Sequence, residues 1–207
     1  MTDASPPLVI VVDDDRAVRE SLDSLLRSVG LATRLYRSST EMLAGNLASE
    51  AACIVLDVRL PGVGGLEFQE QLRRDGSVAP IVFMTGHGDI PMTVRAMKAG
   101  AVDFLAKPFR DQDMLDAVST AIERGRAQRA ETSALAGLRA QYETLTGRER
   151  EVMGHVVTGL MNKQVAGILG LSEITVKIHR GSVMRKMGVR TLADLVRQAG
   201  ALVLPGG

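Results

Sequence analysis

Cys53-Ile54-Val55-Leu56-Asp57-Val58-Arg59-Leu60-Pro61-Gly62 is an apolar run that ends on a carboxylate and then turns. Cys53 to Leu56, four apolar residues closed by a Pro-Gly turn, read as a short strand buried on both faces. Similar runs occur at Leu8 to Val12, Ala32 to Leu35, Ile81 to Met84 and Val102 to Leu105. Helical patterns separate them. The first carries Val18, Leu22, Leu25, Leu26 and Val29 at helical spacing before Gly30 as a stop. Strands alternating with helices predict an α/β doubly wound, five-stranded parallel sheet covered on both faces.

In such sheets chemistry gathers beyond the carboxyl ends of the strands, near the point where strand order reverses. The first strand ends on Asp13, Asp14 and Asp15, the third on Asp57, the fourth on Thr85, and the fifth on Lys107 before Pro108. Singly, each has an ordinary explanation: Asp15 caps the next helix, Asp57 braces the turn, Thr85 serves a strand end. Together they crowd carboxylates into a partly desolvated space, which calls for a cation among them. Mg²⁺, a hard ion that takes oxygen ligands and keeps several waters, fits a few carboxylates. With the metal and Lys107 neutralising phosphoryl oxygens, Asp57 becomes a nucleophile able to form an aspartyl phosphate, and Thr85 can hydrogen-bond the new group.

These residues resemble the receiver domains of two-component response regulators over about residues 8 to 123. The likeness rests on Val-Val-Asp-Asp-Asp at 11 to 15, Leu-Asp-Val-Arg-Leu-Pro-Gly at 56 to 62, Met-Thr-Gly-His-Gly-Asp at 84 to 89 and Lys-Ala-Gly-Ala-Val-Asp-Phe-Leu-Ala-Lys-Pro-Phe at 98 to 109. The resemblance implies a flavodoxin-like fold in which Asp57 accepts phosphate from a sensor histidine kinase. It implies that Asp13 and Asp14 hold Mg²⁺ together with Asp57 and the backbone carbonyl of Arg59. It also puts Phe104 at an aromatic switch position paired with Thr85, and a cis bond before Pro108. His87 and Arg59 flank the pocket; His87 has no second His at metal-ligand spacing, so it receives no metal role.

From Asp111 to about Tyr142 the pattern is helical and polar. Met114, Leu115, Val118 and Ile122 face a core, and Arg124 to Ser133 then run almost without apolar residues. Such a helix bridges domains or frays, and Gly125 and Gly137 weaken it by about 1 kcal/mol each relative to Ala. Leu135, Leu138, Tyr142 and Leu145 restart an apolar stripe suited either to dimerising or to docking on the next domain, and docking is the preferred reading.

Thr146 and Glu149 form a capping box ahead of Val152, Met153, Val156, Val157 and Leu160. A second helix, about Asn162 to Leu169, turns at Gly170-Leu171. Ser172 caps a third that runs to Met187, and a fourth begins near Thr191. This is an all-α, four-helix unit containing a helix-turn-helix. On the third helix Val176, Val183 and Met187 share one face, which leaves Ile178, Gly181 and Arg185 opposite and Lys177 and Ser182 on the flanks.

Residues 144 to 200 resemble LuxR-type (NarL/FixJ) DNA-binding domains through Leu-Thr-Gly-Arg-Glu-Arg-Glu-Val at 145 to 152, Gly-Leu-Met-Asn-Lys-Gln-Val-Ala at 159 to 166 and Leu-Ser-Glu-Ile-Thr-Val-Lys-Ile-His-Arg at 171 to 180. The whole chain resembles the FixJ-like regulators. By that resemblance Lys177 and Ile178 touch bases in double-stranded promoter DNA, while Thr175, Lys163 and Arg180 touch the backbone. Gly181 stands where many relatives carry a long polar side chain. The expected organisation is a tail (1–7), a receiver (8–123), a helical linker (124–143) and a DNA-binding domain (144–207), with a homodimer on phosphorylation and RNA polymerase as a further partner.

Charge agrees with this division: residues 1 to 124 carry net −5 and residues 125 to 207 net +6, a basic half suited to a polyanion. Cys53 is the single cysteine, which excludes an internal disulfide and a cysteine zinc site. Residues 1 to 7 lack a signal-peptide pattern, and no run approaches the roughly 18 apolar residues of a membrane span, so a cytoplasmic protein is expected. Two other readings compete. One is a constitutive DNA-binding protein whose receiver does not switch. The other is an Asp-nucleophile phosphatase, disfavoured because such enzymes need an acid two residues after the nucleophile, where Arg59 stands and cannot donate a proton near neutral pH.

Overall fold

The computed structural model describes residues 5–45, 50–86 and 90–202, which fall into two compact units that divide between Arg129 and Ala130. In the first, strands β1 (Leu8–Val12), β2 (Ala32–Tyr36), β3 (Cys53–Asp57), β4 (Ile81–Thr85) and β5 (Asp103–Ala106) alternate with helices α1 (Arg16–Ser28), α2 (Ser39–Ala44), α3 (Gly65–Arg74) and α4 (Ile90–Lys98), followed by α5 (Asp111–Glu143). The strands are parallel in the order β2-β1-β3-β4-β5. Strand order therefore reverses between β1 and β3, and these are the strands that run into Asp13 and Asp57.

Side chains on a strand alternate between faces, and each inner strand here feeds two cores. Val9, Val11, Cys53, Val55, Val82 and Met84 pack with α1 and α5, whereas Ile10, Val12, Ile54, Leu56, Ile81 and Phe83 pack with residues of α2, α3 and α4. Burial on both sides explains why these strands read as unbroken apolar runs. Cys53 lies wholly inside, and burial pushes its thiol up to about 12, so it is a core residue and not a reactive one.

Several boundaries differ from expectation. β3 and β4 each continue one residue further, which brings Asp57 and Thr85 into the ladder opposite Met84 and Ala106. Val29 does not belong to the α1 stripe; it is the residue that ends the helix, and it is 52% exposed. The short helix α2 is held by its end: the Ser38 hydroxyl accepts from Glu41 N–H, and the Glu41 carboxylate accepts from Arg37 N–H at 2.8 Å. Two turns leave no apolar period to read.

The polar stretch after Ile122 does not fray. α5 continues unbroken through Gly125 and Gly137, and two features hold its middle. Gly125 lies so close to the segment before β4 that a Cβ there would sit 2.7 Å from Pro80 Cγ, and Arg129 Nη1 donates to the Ala51 carbonyl at 2.9 Å. Gly125 thus permits close approach, a second role beside its cost in helix propensity.

The second unit contains α6 (Gly147–Val157), α7 (Asn162–Leu169), α8 (Glu173–Lys186) and α9 (Leu192–Leu202) around a core of Leu145, Val152, Met153, Val156, Val165, Val176, Val183, Met187 and Leu195. Leu138 and Tyr142, from the end of α5, pack on this core, as the docking reading expects, while Leu135 is only half-buried. The capping box is present: Thr146 Oγ1 accepts from Glu149 N–H, and Glu149 Oε2 accepts from Thr146 N–H. Gly170, at φ +66°, ends α7 in the left-handed conformation and makes the turn into α8.

Candidate functional site

In the first unit, β1 and β3 deliver Asp13 and Asp57 to the same sheet edge, and both are buried. Lys107, just beyond β5, places Nζ 2.5 Å from Asp13 Oδ2 and 2.5 Å from Asp57 Oδ2. Its own N–H donates to the Thr85 carbonyl at 2.7 Å, so the end of β4 fixes the backbone that carries the ammonium. The peptide bond between Lys107 and Pro108 is cis, as the resemblance implies. The remaining Asp57 oxygen, Oδ1, accepts from Arg59 N–H at 2.8 Å.

Asp14 is exposed beside this buried pair. Asp13, Asp14 and Asp57 each offer one carboxylate oxygen, and these oxygens lie within 4.8 Å of one another. Asp14 and Arg59 also line an open cavity of about 710 Å³. Asp15 takes another task, accepting from Ala17 N–H at 2.8 Å as the N-cap of α1. The sequence reading thus holds three acids in one place and sends the fourth to the helix end.

Burial pushes the Asp13 carboxyl above its ordinary value, an effect that the Lys107 hydrogen bond and the Asp15 N–H oppose and that the nearby Asp57 charge reinforces. Burial also works against the Lys107 charge, but hydrogen bonds from the ammonium to the two carboxylates more than offset it and hold Lys107 above its ordinary value. An all-oxygen donor set with surplus negative charge is the chemistry of a hard divalent cation, so these residues fit Mg²⁺. The sequence reading missed one support: Arg19 Nη1 donates to the Asp13 carbonyl at 2.6 Å. Its position one turn into α1, after the Asp15 cap, is the only signal that pointed to it.

Thr85 is fully buried at the end of β4. Phe104 is half-buried opposite Phe83 in the ladder, with ring centroids 6.3 Å apart and planes tilted by 44°. His87 lies outside the described residues.

In the second unit, α8 presents Lys177 and Ile178 to solvent, Ile178 at 64% exposure, with Gly181 and Arg185 on the same open side. Lys163 is exposed on α7. Thr175 shares a 2.7 Å hydroxyl contact with the cap residue Ser172, and Arg180 Nη1 donates to Asn162 Oδ1 at 3.3 Å, a bond from α8 to the start of α7 that periodicity could not foretell. Lys186, at the end of α8, is committed inward: Nζ lies 2.6 Å from Glu149 Oε2 and 3.0 Å from the Thr144 carbonyl.

Residues 9–119 match the family described as response regulator receiver domain, and residues 143–199 match bacterial regulatory proteins, luxR family. The chain is a response regulator of the LuxR/FixJ type. Nodulation protein W of Bradyrhizobium diazoefficiens is 57% identical over 195 residues, covering 94% of this chain and 86% of that protein. Transcriptional regulatory protein FixJ of Azorhizobium caulinodans is 44% identical over 191 residues, covering 92% and 90%. Among solved structures, response regulator StyR, known at low resolution, aligns with TM-score 0.86 and 47% identity over 94% of this chain and 98% of that one. Full-length FixJ from B. japonicum aligns with TM-score 0.59 and 36% identity over 98% and 100%. As a member of this family the response regulator pairs a receiver with a DNA-binding domain and acts in two-component transcriptional regulation, which implies a kinase and DNA as partners. Among the described residues no helix is long and apolar enough to cross a membrane.

Proposed function

We propose that this response regulator is gated by phosphorylation of Asp57, which takes its phosphoryl group from a sensor histidine kinase. The observation that carries this reading is the Lys107 ammonium, 2.5 Å from both Asp13 and Asp57, with an Asp14 oxygen in the same cluster. One Asp57 oxygen attacks phosphorus; the P–O bond forms as the P–N bond to the kinase imidazole breaks, and that nitrogen keeps the electron pair. Lys107 then exchanges its Asp57 oxygen for a phosphoryl oxygen. Asp13, Asp14, Asp57 and the Arg59 carbonyl would hold Mg²⁺, which would supply further positive charge against the phosphoryl oxygens.

Thr85 and Phe104 form the switch. The Thr85 hydroxyl turns to the phosphoryl group, Phe104 packs inward, and the phosphate favours that packing because it binds it better. Homodimerisation through the receiver comes next, a reading supported by the exposed apolar side chains Ile90, Val94 and Met97 on α4.

The output is binding of double-stranded promoter DNA. Lys177 and Ile178 meet base edges, Lys163, Thr175 and Arg180 hold the backbone, and RNA polymerase is the downstream partner. Functionally the chain divides into a tail (1–7), receiver (8–123), linker (124–143) and DNA-binding domain (144–207), and it works in the cytoplasm.

The test uses acetyl phosphate with Mg²⁺ on the full chain, read by phosphate-affinity electrophoresis, oligomer size and DNA affinity. Wild type should gain a phosphorylated band, a larger particle and tighter DNA binding, and Asp57→Asn none of them. Identical behaviour of the two proteins would overturn the reading in favour of constitutive DNA binding.

A further inference from the structure

The edge of the receiver sheet away from Asp57 holds a second cavity, of about 300 Å³. It lies where the segments entering β4 and β5 meet the end of α3 and the middle of α5. Val78, Pro80 and Val102 give it apolar wall, and Gln69, Arg73 and Arg124 give it polar wall. Among the described residues it has no acidic lining.

The polar groups are incompletely used. Gln69 is 2% exposed; its Nε2 donates to the Ala99 carbonyl at 3.2 Å, but its Oε1 is buried with no partner. Reversing the amide does not help, because it would set an oxygen against the Ala99 carbonyl. A buried acceptor left unsatisfied is costly, and such a group in a native fold requires an explanation. Arg73 reaches the same Ala99 carbonyl at 3.5 Å, the outer limit of a hydrogen bond, and neither Arg73 nor Arg124 forms an ion pair among the described residues.

We propose that this cavity binds a small organic acid: a carboxylate held by Arg73 and Arg124, an apolar body against Val78, Pro80 and Val102, and a hydroxyl that supplies the donor Gln69 Oε1 lacks once the amide turns toward the cavity. Two guanidiniums with no competing acid select an anion, and their planar forks suit a carboxylate. The apolar wall distinguishes an organic acid from an inorganic ion. A cavity of this size, mostly apolar with a few converging polar groups, is the form that small-molecule sites take.

The probe is 4-hydroxybenzoate, titrated into the full-length ¹⁵N-labelled protein and followed through the backbone amides of Ser77, Gly100 and Gly125. Saturable shifts confined to this region are expected. Benzoate, which lacks the donor for Gln69, should bind about fivefold more weakly. Benzamide and inorganic phosphate should each bind at least about tenfold more weakly, as should 4-hydroxybenzoate to Arg73→Met or Arg124→Met. Both arginines are exposed, so these variants should fold. Absence of saturable shifts, equal binding of benzamide or phosphate, or arginine variants that bind like wild type would each overturn the proposal. Asp57→Asn should bind 4-hydroxybenzoate normally, which separates this site from the phosphoacceptor.

Discussion

Lys107 Nζ stands 2.5 Å from Asp57 Oδ2 although the two residues are fifty positions apart in sequence, and the cation is tied to the ends of both strands that flank the reversal in strand order. Removing it leaves two buried carboxylates facing each other and takes away the charge that meets an incoming phosphoryl group. Lys107→Met should slow phosphorylation by acetyl phosphate at least about a hundredfold, by analogy with the loss of one preorganised electrostatic donor. Lys107→Arg should recover only part of the rate, because a planar fork does not reproduce a compact ammonium. Phosphate-affinity electrophoresis over time gives both rates; a wild-type rate in Lys107→Met would remove Lys107 from the reaction.

Two glycines in α5 should respond to alanine in opposite directions. At Gly137 a Cβ meets nothing within 4 Å, so Gly137→Ala should stabilise by up to about 1 kcal/mol through helix propensity. At Gly125 the Cβ would lie 2.7 Å from Pro80 Cγ and 3.3 Å from the Ala52 carbonyl. Overpacking of this kind costs about 1–3 kcal/mol, so Gly125→Ala should lower the melting temperature despite the same gain in propensity. Calorimetry on the two variants decides it; a parallel rise would show that Pro80 yields freely.

The Lys186 ammonium beside Glu149 holds that carboxyl below the ordinary value of 4.5, with help from the Thr146 N–H. A folded value below the unfolded one contributes stability that is complete above the unfolded value and is lost as pH falls through the folded value. Amide exchange protection in α6 should therefore decline in acid below about pH 4.5. Glu149→Gln should start less protected and decline less steeply over the same window. An unchanged pH profile in that variant would mean that another carboxylate sets the acid limit.

On DNA, Lys177→Ala should weaken specific binding more than nonspecific binding, whereas Lys163→Ala should weaken both alike. Competition electrophoresis with promoter and random duplexes at one fixed salt concentration separates these outcomes. Equal losses for Lys177→Ala would reassign it to the phosphate backbone.

The acidic site was legible because its parts come from strand ends, and strand ends can be located from short apolar runs alone. Asp57, Thr85 and Lys107 needed only the rule that parallel sheets expose their carboxyl edge. What escaped was contact that obeys no period. Arg19 reaching the Asp13 carbonyl, Asn162 meeting Arg180, and Gly125 lying against Pro80 each depend on a three-dimensional approach between segments that sequence leaves independent. Helix α2 escaped for a different reason, since its six residues are too few to display an amphipathic period. The inward turn of Lys186 escaped because charge in a sequence carries no sign of which way it faces.

The inward turn of Lys186 bears on how tightly the basic half can hold a polyanion. A cation that neutralises a DNA phosphate frees a condensed counterion, and the number freed sets how steeply affinity falls with salt. Lys186 already neutralises Glu149, so it has no phosphate to claim and no counterion to free. The slope of log K against log salt should accordingly fall short of what the 12 lysines and arginines of residues 125 to 207 would give, and Lys186→Ala should leave that slope unchanged even where it loosens the fold.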